Sequence, residues 1–136
     1  MADDIYPSFK EKMADGTIDL DNDDFKVMLL NSTHAFNSAH DEVADISANQ
    51  ISGTGYTAGG TALVSPTWVL SGDVVTFDAE DPSWTTATFT AAFAVIYDDT
   101  VAGDPLVCQI DFSGDQQVTA GTFTIQFNAS GIITLT

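Results

Sequence analysis

The chain has 136 residues, of which 44% are apolar, and this is enough material for one buried core and a single domain over residues 1–136. It carries 20 acidic residues against three lysines, and its formal net charge is −17. A surface this acidic repels phosphate backbones and anionic lipids, so we expect neither nucleic acid nor a membrane as a partner. The first residues show no basic and apolar signal pattern, so synthesis in a cytoplasm is expected.

The first predicted element is a short helix from Pro7 to Ala14. Apolar residues recur at four-residue spacing here, with a proline in the first turn and a glycine after the end: Ile5, Phe9, Met13, Pro7 and Gly16. A helix of about eight residues is marginal on its own. Residues 1–16 are therefore expected to form a helical segment packed on the rest of the domain.

Strand signals begin at Phe25–Asn31, where apolar residues on both faces predict a strand buried on both sides. Asn31–Gln50 is polar and weakly patterned, and this predicts a long loop with one helical turn around Asp41–Ile46. The glycines of Gly53–Gly60 indicate bulges or a close approach to a neighbouring backbone.

A hairpin is predicted from Thr67–Leu70 and Val74–Phe77, which flank a Ser-Gly-Asp turn. The longest strand signal follows from Trp84 to Asp99 and predicts the central strand of a sheet. One face is large and apolar, and the other is small and half-polar, so we expect the second sheet or the N-terminal helix to pack closely on the small face. The two sets are Ala87, Phe89, Ala91, Phe93, Val95 and Tyr97, and Thr88, Thr90, Ala92, Ala94 and Ile96.

The last third of the chain alternates in short segments. Leu106–Phe112 is predicted as a strand, Ser113–Asp115 as a turn, and Phe123–Phe127 and Ile132–Thr136 as further strands. Short strands with Gly and Asp turns are typical of antiparallel architectures. The expected fold is mainly β: an antiparallel β-sandwich or barrel of about seven to nine short strands with one short N-terminal helix.

Asp19, Asp21 and Asp23 have the spacing of the first ligands of a calcium loop. The rest of that motif is missing, because Asp24 stands where the loop needs glycine and Leu30 where it needs glutamate. An acidic turn is the favoured interpretation, although a calcium ion held between subunits stays open.

Two other patterns also fall short of a binding motif. His34 and His40 lie near acidic residues, but no metal motif uses their spacing. Gly53–Ala58 matches G-x-G-x-x-A without the preceding apolar strand and following helix of a dinucleotide site. The sequence therefore predicts no metal ligands and no cofactor.

No arrangement for catalysis is recognisable either. The pairs Asp98-Asp99 and Glu80-Asp81 stand next to aromatic residues, as in a glycosidase, but both fall in apparent turns where a solvated carboxylate is the simpler interpretation. Cys108 is alone in a strand pattern and is expected to be a buried, inert thiol. We predict no catalytic residue and no enzymatic activity.

Nearly the whole chain resembles a known group of proteins. The matching stretches are GTIDLDNDDFKVMLLNS, SGTGYTAGGTAL, VTFDAEDPSWTTATFTAAFAVIYDDT and GTFTIQFNASGIITLT, of which GYTAGG and AVIYDDT are the most specific. In this order they are similar to a recurrent family of small structural proteins of tailed bacteriophages. The resemblance implies a virion protein, best fitted by a capsid decoration or cement protein that binds the major capsid protein on the outside of the head, often as a trimer.

On this hypothesis, partner contacts are expected from one of two segments. The first is Met1–Met13, with Ile5, Tyr6 and Phe9 as partner-binding residues and with Ile5 and Tyr6 expected on the surface. The second is the loop Asn31–Gln50, which is long without being needed for the fold.

Two alternatives remain from the sequence. One is a tail or fibre component that binds host surface glycans through Trp68, Trp84 or Tyr56. The other is a small glycan hydrolase that depends on Asp98 or Glu80.

Overall fold

Two antiparallel β-sheets share an apolar core in the computed structural model, which describes residues 2–136. Within that range the strands are β1 (Asp4–Ile5), β2 (Phe25–Leu30), β3 (Thr61–Ala62), β4 (Thr67–Ser71), β5 (Val74–Asp78), β6 (Ser83–Asp98), β7 (Leu106–Thr124) and β8 (Ile133–Leu135). One sheet has the order β1-β7-β6-β2-β3, and the other has the order β4-β5-β8. The predicted mainly β fold is confirmed, and because the chain forms two separate sheets it is a sandwich.

The predicted N-terminal helix is confirmed as α1, from Pro7 to Ala14. Gly16 follows it at φ +84°, a left-handed conformation that glycine adopts without a steric penalty. Phe9 is the buried side chain of α1 and lies in the core shared by the two sheets, which holds the helix against them. No helix in the described range is long and apolar enough to cross a membrane.

The main core joins the two sheets. Phe25 of β2 meets Phe77 of β5 edge to face, with ring centroids 5.5 Å apart. Val27 and Leu29 lie in the same cluster, and both are 0% exposed. Burying side chains of this size stabilises a fold by about 1.5–3 kcal/mol each, so this contact is a main source of stability.

A second, smaller core lies on the other face of β2. Met28 and Leu30 alternate with Val27 and Leu29, so they point away from the main core. They pack with Ile46 of the long loop and with other buried side chains. The prediction that both faces of this strand are buried is confirmed.

The predicted central strand is confirmed as β6, the third of the five strands, but its two faces exchange roles partway along. Ala87, Phe89 and Ala91 lie in the main core, and the next main-core residues are Ala94 and Ile96. A register irregularity between Ala91 and Phe93 causes the exchange, because a slip of one residue turns every later side chain to the other face. The expectation that the odd positions share one face is therefore wrong beyond Ala91.

The same irregularity changes the interpretation of Ser113–Asp115. Ala91 pairs with Gln116 and Phe93 pairs with Asp111, so four residues of β7 bulge opposite a single residue of β6. Ser113 adopts φ 60° within this bulge. The predicted turn is wrong: the chain bulges there and β7 continues in the same sheet to Thr124.

The glycine-rich segment lies directly against the strands of the large sheet, as predicted. A Cβ atom on Gly60 would lie 2.6 Å from the carbonyl carbon of Val27 and closer still to its oxygen. Two phenol groups hold the segment in place: Tyr56 accepts a hydrogen bond from the Leu29 N–H (3.2 Å), and Tyr97 donates one to the Gly59 carbonyl (2.5 Å). The predicted hairpin after it is confirmed as β4 and β5.

Candidate docking surface

The three predicted partner-binding residues lie in or against the domain. Tyr6 is 0% exposed and Phe9 is 1% exposed, so the expectation that Tyr6 lies on the surface is wrong. Tyr6 packs on Phe36 of the long loop, and burial raises the pKa of its phenol. Ile5 is half-buried and pairs with Cys108. Met1 lies outside the described residues, and partner contact by the exposed residues of this segment stays a prediction.

The loop Asn31–Gln50 covers the smaller core and belongs to the fold. The predicted helical turn is present as two short 3-10 turns, Val43–Asp45 and Ser47–Asn49. The N–H of Leu106 donates to the carbonyl of Asp41 at 2.9 Å, which ties the loop to the start of β7. The expectation that the fold does not need this loop is wrong, because its removal would expose the second face of β2.

The two histidines do not meet at a metal site. His34 is buried, and its Nε2 lies 2.7 Å from the Oε1 of Gln109, whose amide nitrogen donates to Asp4 at 3.0 Å. Burial lowers the pKa of His34. Over residues 2–136 no group of three or more His, Cys, Asp or Glu side chains is arranged to hold a metal ion.

The acidic turn before β2 uses its carboxylates to close itself. Asp19 accepts hydrogen bonds from the side chain of Asn22 (2.8 Å) and from the N–H of Asp21 (3.0 Å). These hydrogen bonds lower the pKa of Asp19, and the bond from Asn22 contributes most. Asp23 in turn accepts the N–H of Asp19 at 2.9 Å, so hydrogen bonds within the turn hold these carboxylates in place.

Asp98 is fully buried, and the expectation that it is a solvated turn residue is wrong. Its Oδ1 accepts the N–H groups of Thr100 (2.8 Å) and Val101 (3.2 Å), which caps the connection between β6 and β7. Its Oδ2 is buried without an N–H or O–H donor in the described part of the chain, and the neighbouring group is the carboxyl of Asp23. Burial and this neighbour raise the pKa of Asp98 to about 7.

Cys108 is fully buried as predicted, and burial raises the pKa of its thiol to about 12. Trp84 is 5% exposed and offers no face to a sugar, and the half-buried Tyr56 stacks on it. Trp68 is different. It is half-buried and lines a shallow cleft of about 310 Å³ whose rim includes Asp19 and Asp21.

The charge of this protein is distributed very unevenly. Ile46–Gly72 has no charged residue, and neither have the two stretches Gln116–Thr136 and Pro82–Tyr97. These two stretches pair as the outer parts of β6 and β7, and we call residues Ser83–Ala92 and Gln116–Thr124 the uncharged ribbon. Its exposed residues carry hydroxyl or amide groups, apart from one alanine: Ser83, Thr85, Thr86, Thr88, Thr90, Gln116, Gln117, Thr119, Ala120, Thr122 and Thr124.

We expect salt to stabilise the folded protein. Two ion pairs occur in the described range, Lys12–Asp41 (3.7 Å) and Lys26–Asp99 (3.4 Å), and exposed pairs of this kind contribute little. Repulsion among the remaining carboxylates dominates, so screening should raise Tm by several degrees between about 0.02 M and about 0.5 M NaCl in thermal unfolding. A Tm that stays constant or falls would show that the carboxylates are too dispersed to repel.

Comparisons with protein-family models, with curated proteins and with solved structures found no match.

Proposed function

We propose that this protein is a non-enzymatic bacteriophage virion protein, a capsid decoration or cement protein that binds the major capsid protein on the outer surface of the head. The observation that carries the proposal is the uncharged ribbon on a chain of net charge −17. Interface centres are depleted in charged residues, and here two long paired strands present an exposed surface that carries none. The phage context itself comes from the resemblance of the sequence blocks.

The chemistry of the ribbon suits rigid attachment. Thr88 and Thr90 of β6 and Gln117 of β7 are exposed on paired strands, and Thr90 lies directly opposite Gln117. Threonine side chains lose little rotamer freedom on binding because they are short and branched at Cβ. Their hydroxyls can donate and accept hydrogen bonds, and burying them removes no charge from water. The acidic remainder would face outward and keep particles apart.

The proposal predicts that one added charge on the ribbon blocks attachment. Thr90→Glu places a carboxylate at an exposed position, so folding should be unchanged while docking now requires that charge to be desolvated. Purified variants mixed with heads of the source phage that lack the protein should show at least a tenfold loss of cosedimentation. Thr134→Glu, an exposed threonine in β8 of the other sheet, is the matched control and should bind like the unmodified chain.

Equal binding by both variants would remove the ribbon as the docking surface, and no binding to heads by the unmodified chain would remove the capsid role. The cleft at Trp68 favours the alternative, a tail or fibre component that binds host glycans, because the indole ring can pack on the apolar face of a sugar while Asp19 and Asp21 can accept hydrogen bonds from its hydroxyls. That function would show as binding to host cells that Trp68→Ala abolishes. The hydrolase alternative has less support, because Asp98 has no exposed surface for a substrate.

We also propose that the protein attaches as a homo-oligomer, a trimer on the resemblance. It would be made in the host cytoplasm and reside in the virion. Symmetric copies multiply weak contacts with a lattice, so a small ribbon on each copy is sufficient for stable attachment.

A further inference from the structure

The edge of β7 contains an uncharged apolar cleft. Phe112 and Phe123 are eleven residues apart in one strand, yet their ring centroids are only 5.9 Å apart because β7 curls around them. They line a cleft of about 350 Å³, and the other lining residues are Gln116, Thr124, Ile125 and Gln126. Every lining residue is uncharged, so the cleft suits an apolar group and offers nothing to an ion.

The polar part of the lining indicates what surrounds that apolar group. Gln116 and Gln126 are both exposed and contribute amide groups. Amides donate and accept hydrogen bonds, as a polypeptide backbone requires. The ligand that fits is therefore a large apolar side chain carried on an exposed turn or strand of a protein.

The same chain carries such a side chain in its other sheet. Leu70 is 68% exposed, the most exposed of its large apolar residues in the described range. It lies opposite Val75, which lies opposite Leu135, so the three form one apolar row across β4, β5 and β8. Leu70 shares its face with Trp68, which packs on the buried Phe77, so the row continues the core-facing side of the sheet past the edge of the core.

We propose that this apolar row binds a second copy of the chain, with Leu70 of one copy seated in the Phe112–Phe123 cleft of the next. The argument for a second copy is electrostatic. Two chains of net charge −17 approach most easily where charge is sparse, and the cleft overlaps the uncharged ribbon, with which it shares Gln116, Phe123 and Thr124. On the hairpin that carries Leu70, only Asp73 is charged between Val64 and Phe77, while Asp111 and Asp115 border the cleft. This small repulsion should make the contact stronger in salt.

A contact between two different surfaces repeats head to tail. Each copy then offers one row and one cleft, and the series ends only by closing into a ring or by growing into a filament. A closed ring leaves no row or cleft empty. The inference deepens the proposed function and rests on it for its purpose, because a ring would present several uncharged ribbons to the head together.

Leu70→Ser tests the contact without disturbing the fold, since the side chain is mostly exposed. Sedimentation equilibrium of the full chain in salt should show at least a tenfold weaker association. Val69→Ser is the matched control, because Val69 is 53% exposed on the opposite face of β4 and should leave association unchanged. Far-UV circular dichroism confirms that both variants are folded.

A cysteine pair distinguishes the head-to-tail contact from other arrangements. Leu70→Cys mixed with Gln126→Cys should give covalent dimers on mild oxidation, and neither variant should cross-link alone, because Cys108 is fully buried. Cross-linking of Leu70→Cys by itself would overturn the proposal in favour of two rows facing each other. A monomeric unmodified chain, or equal association of Leu70→Ser and the unmodified chain, would also overturn it.

The failure of this inference and the failure of the proposed function give different results. Leu70→Ser that no longer associates should still cosediment with heads, with affinity reduced by the loss of multivalency. Heads that bind the unmodified chain only as a monomer would remove the inference and leave the capsid role in place. Association of the unmodified chain without any binding to heads would remove the capsid role and leave the contact between copies in place.

Discussion

Gly60→Ala is expected to lower the free energy of unfolding by at least about 4 kcal/mol, enough to leave much of the protein unfolded. The added Cβ would lie 2.6 Å from the Val27 carbonyl carbon and 3.0 Å from the Met28 Cα. These are backbone atoms of a strand buried on both faces, so they cannot move aside. The glycine-rich segment would have to lift away and break the hydrogen bonds of Tyr56 and Tyr97. Urea unfolding measures the change.

Gly16→Ala is a closely matched control for this substitution. Gly16 has φ +84° and Gly60 has φ +85°, so alanine meets the same backbone penalty of about 1 kcal/mol at both positions. At Gly16, however, no atom lies within 4 Å of the added carbon. The difference between the two variants therefore isolates the close approach to β2. Equal losses of stability in the two variants would mean that the glycine-rich segment can move away from β2 without a further loss of stability.

Asp98→Asn is expected to stabilise the protein at pH 8 and to change little below about pH 4. The pKa of Asp98 is raised from 3.8 to about 7 in the folded chain, so the folded state holds a proton that the unfolded state releases. Stability from this group therefore falls as pH rises from about 4 to about 7. Asparagine keeps an oxygen for the N–H groups of Thr100 and Val101 and can donate to Asp23. The gain at pH 8 relative to low pH should be about 2–4 kcal/mol in urea unfolding, because each unit of the pKa shift corresponds to about 1.4 kcal/mol.

Asp99→Asn shows whether this effect depends on burial. Asp99 is adjacent in sequence but exposed, and its carboxylate pairs with Lys26 at 3.4 Å on the surface. Its replacement should change stability by less than about 1 kcal/mol and leave the pH profile parallel to that of the unmodified chain. Parallel profiles for Asp98→Asn as well would show that Asp98 is charged at all these pH values.

The exchange of faces in β6 and the missing turn in β7 have one cause. Alternation along Trp84–Asp99 was sufficient to predict a central strand, but the exchange of its faces at Ala92 depends on the register with β7. Ser113–Asp115 has the composition of a turn, and it forms a bulge because Gln116 and the residues after it pair again with β6. Local composition can indicate where a strand is interrupted, and pairing decides whether the chain reverses there.

The candidate surfaces were only partly visible in the sequence. The absence of charge from Gln116 to Thr136 is readable in the sequence, but only the pairing of β7 with β6 shows that part of this stretch forms one uncharged ribbon with β6. The Phe112–Phe123 cleft was not predictable, because alternation does not show that β7 curls. The exposure of Leu70 was not predictable either, because its position in the alternation of β4 places it on the core-facing side of the hairpin.

By itself, the sequence determined the fold class, the helix Pro7–Ala14, most strands, the hairpin and the close approach of the glycines. These follow from local periodicity and backbone preferences, which neighbouring residues set. Only the tertiary structure decided that Tyr6 and Asp98 are buried and that Leu70 is exposed. Burial depends on which distant segments cover a side chain. Here the long loop covers Tyr6, the acidic turn before β2 lies against Asp98, and Leu70 lies at the edge of the second sheet, where no described segment covers it.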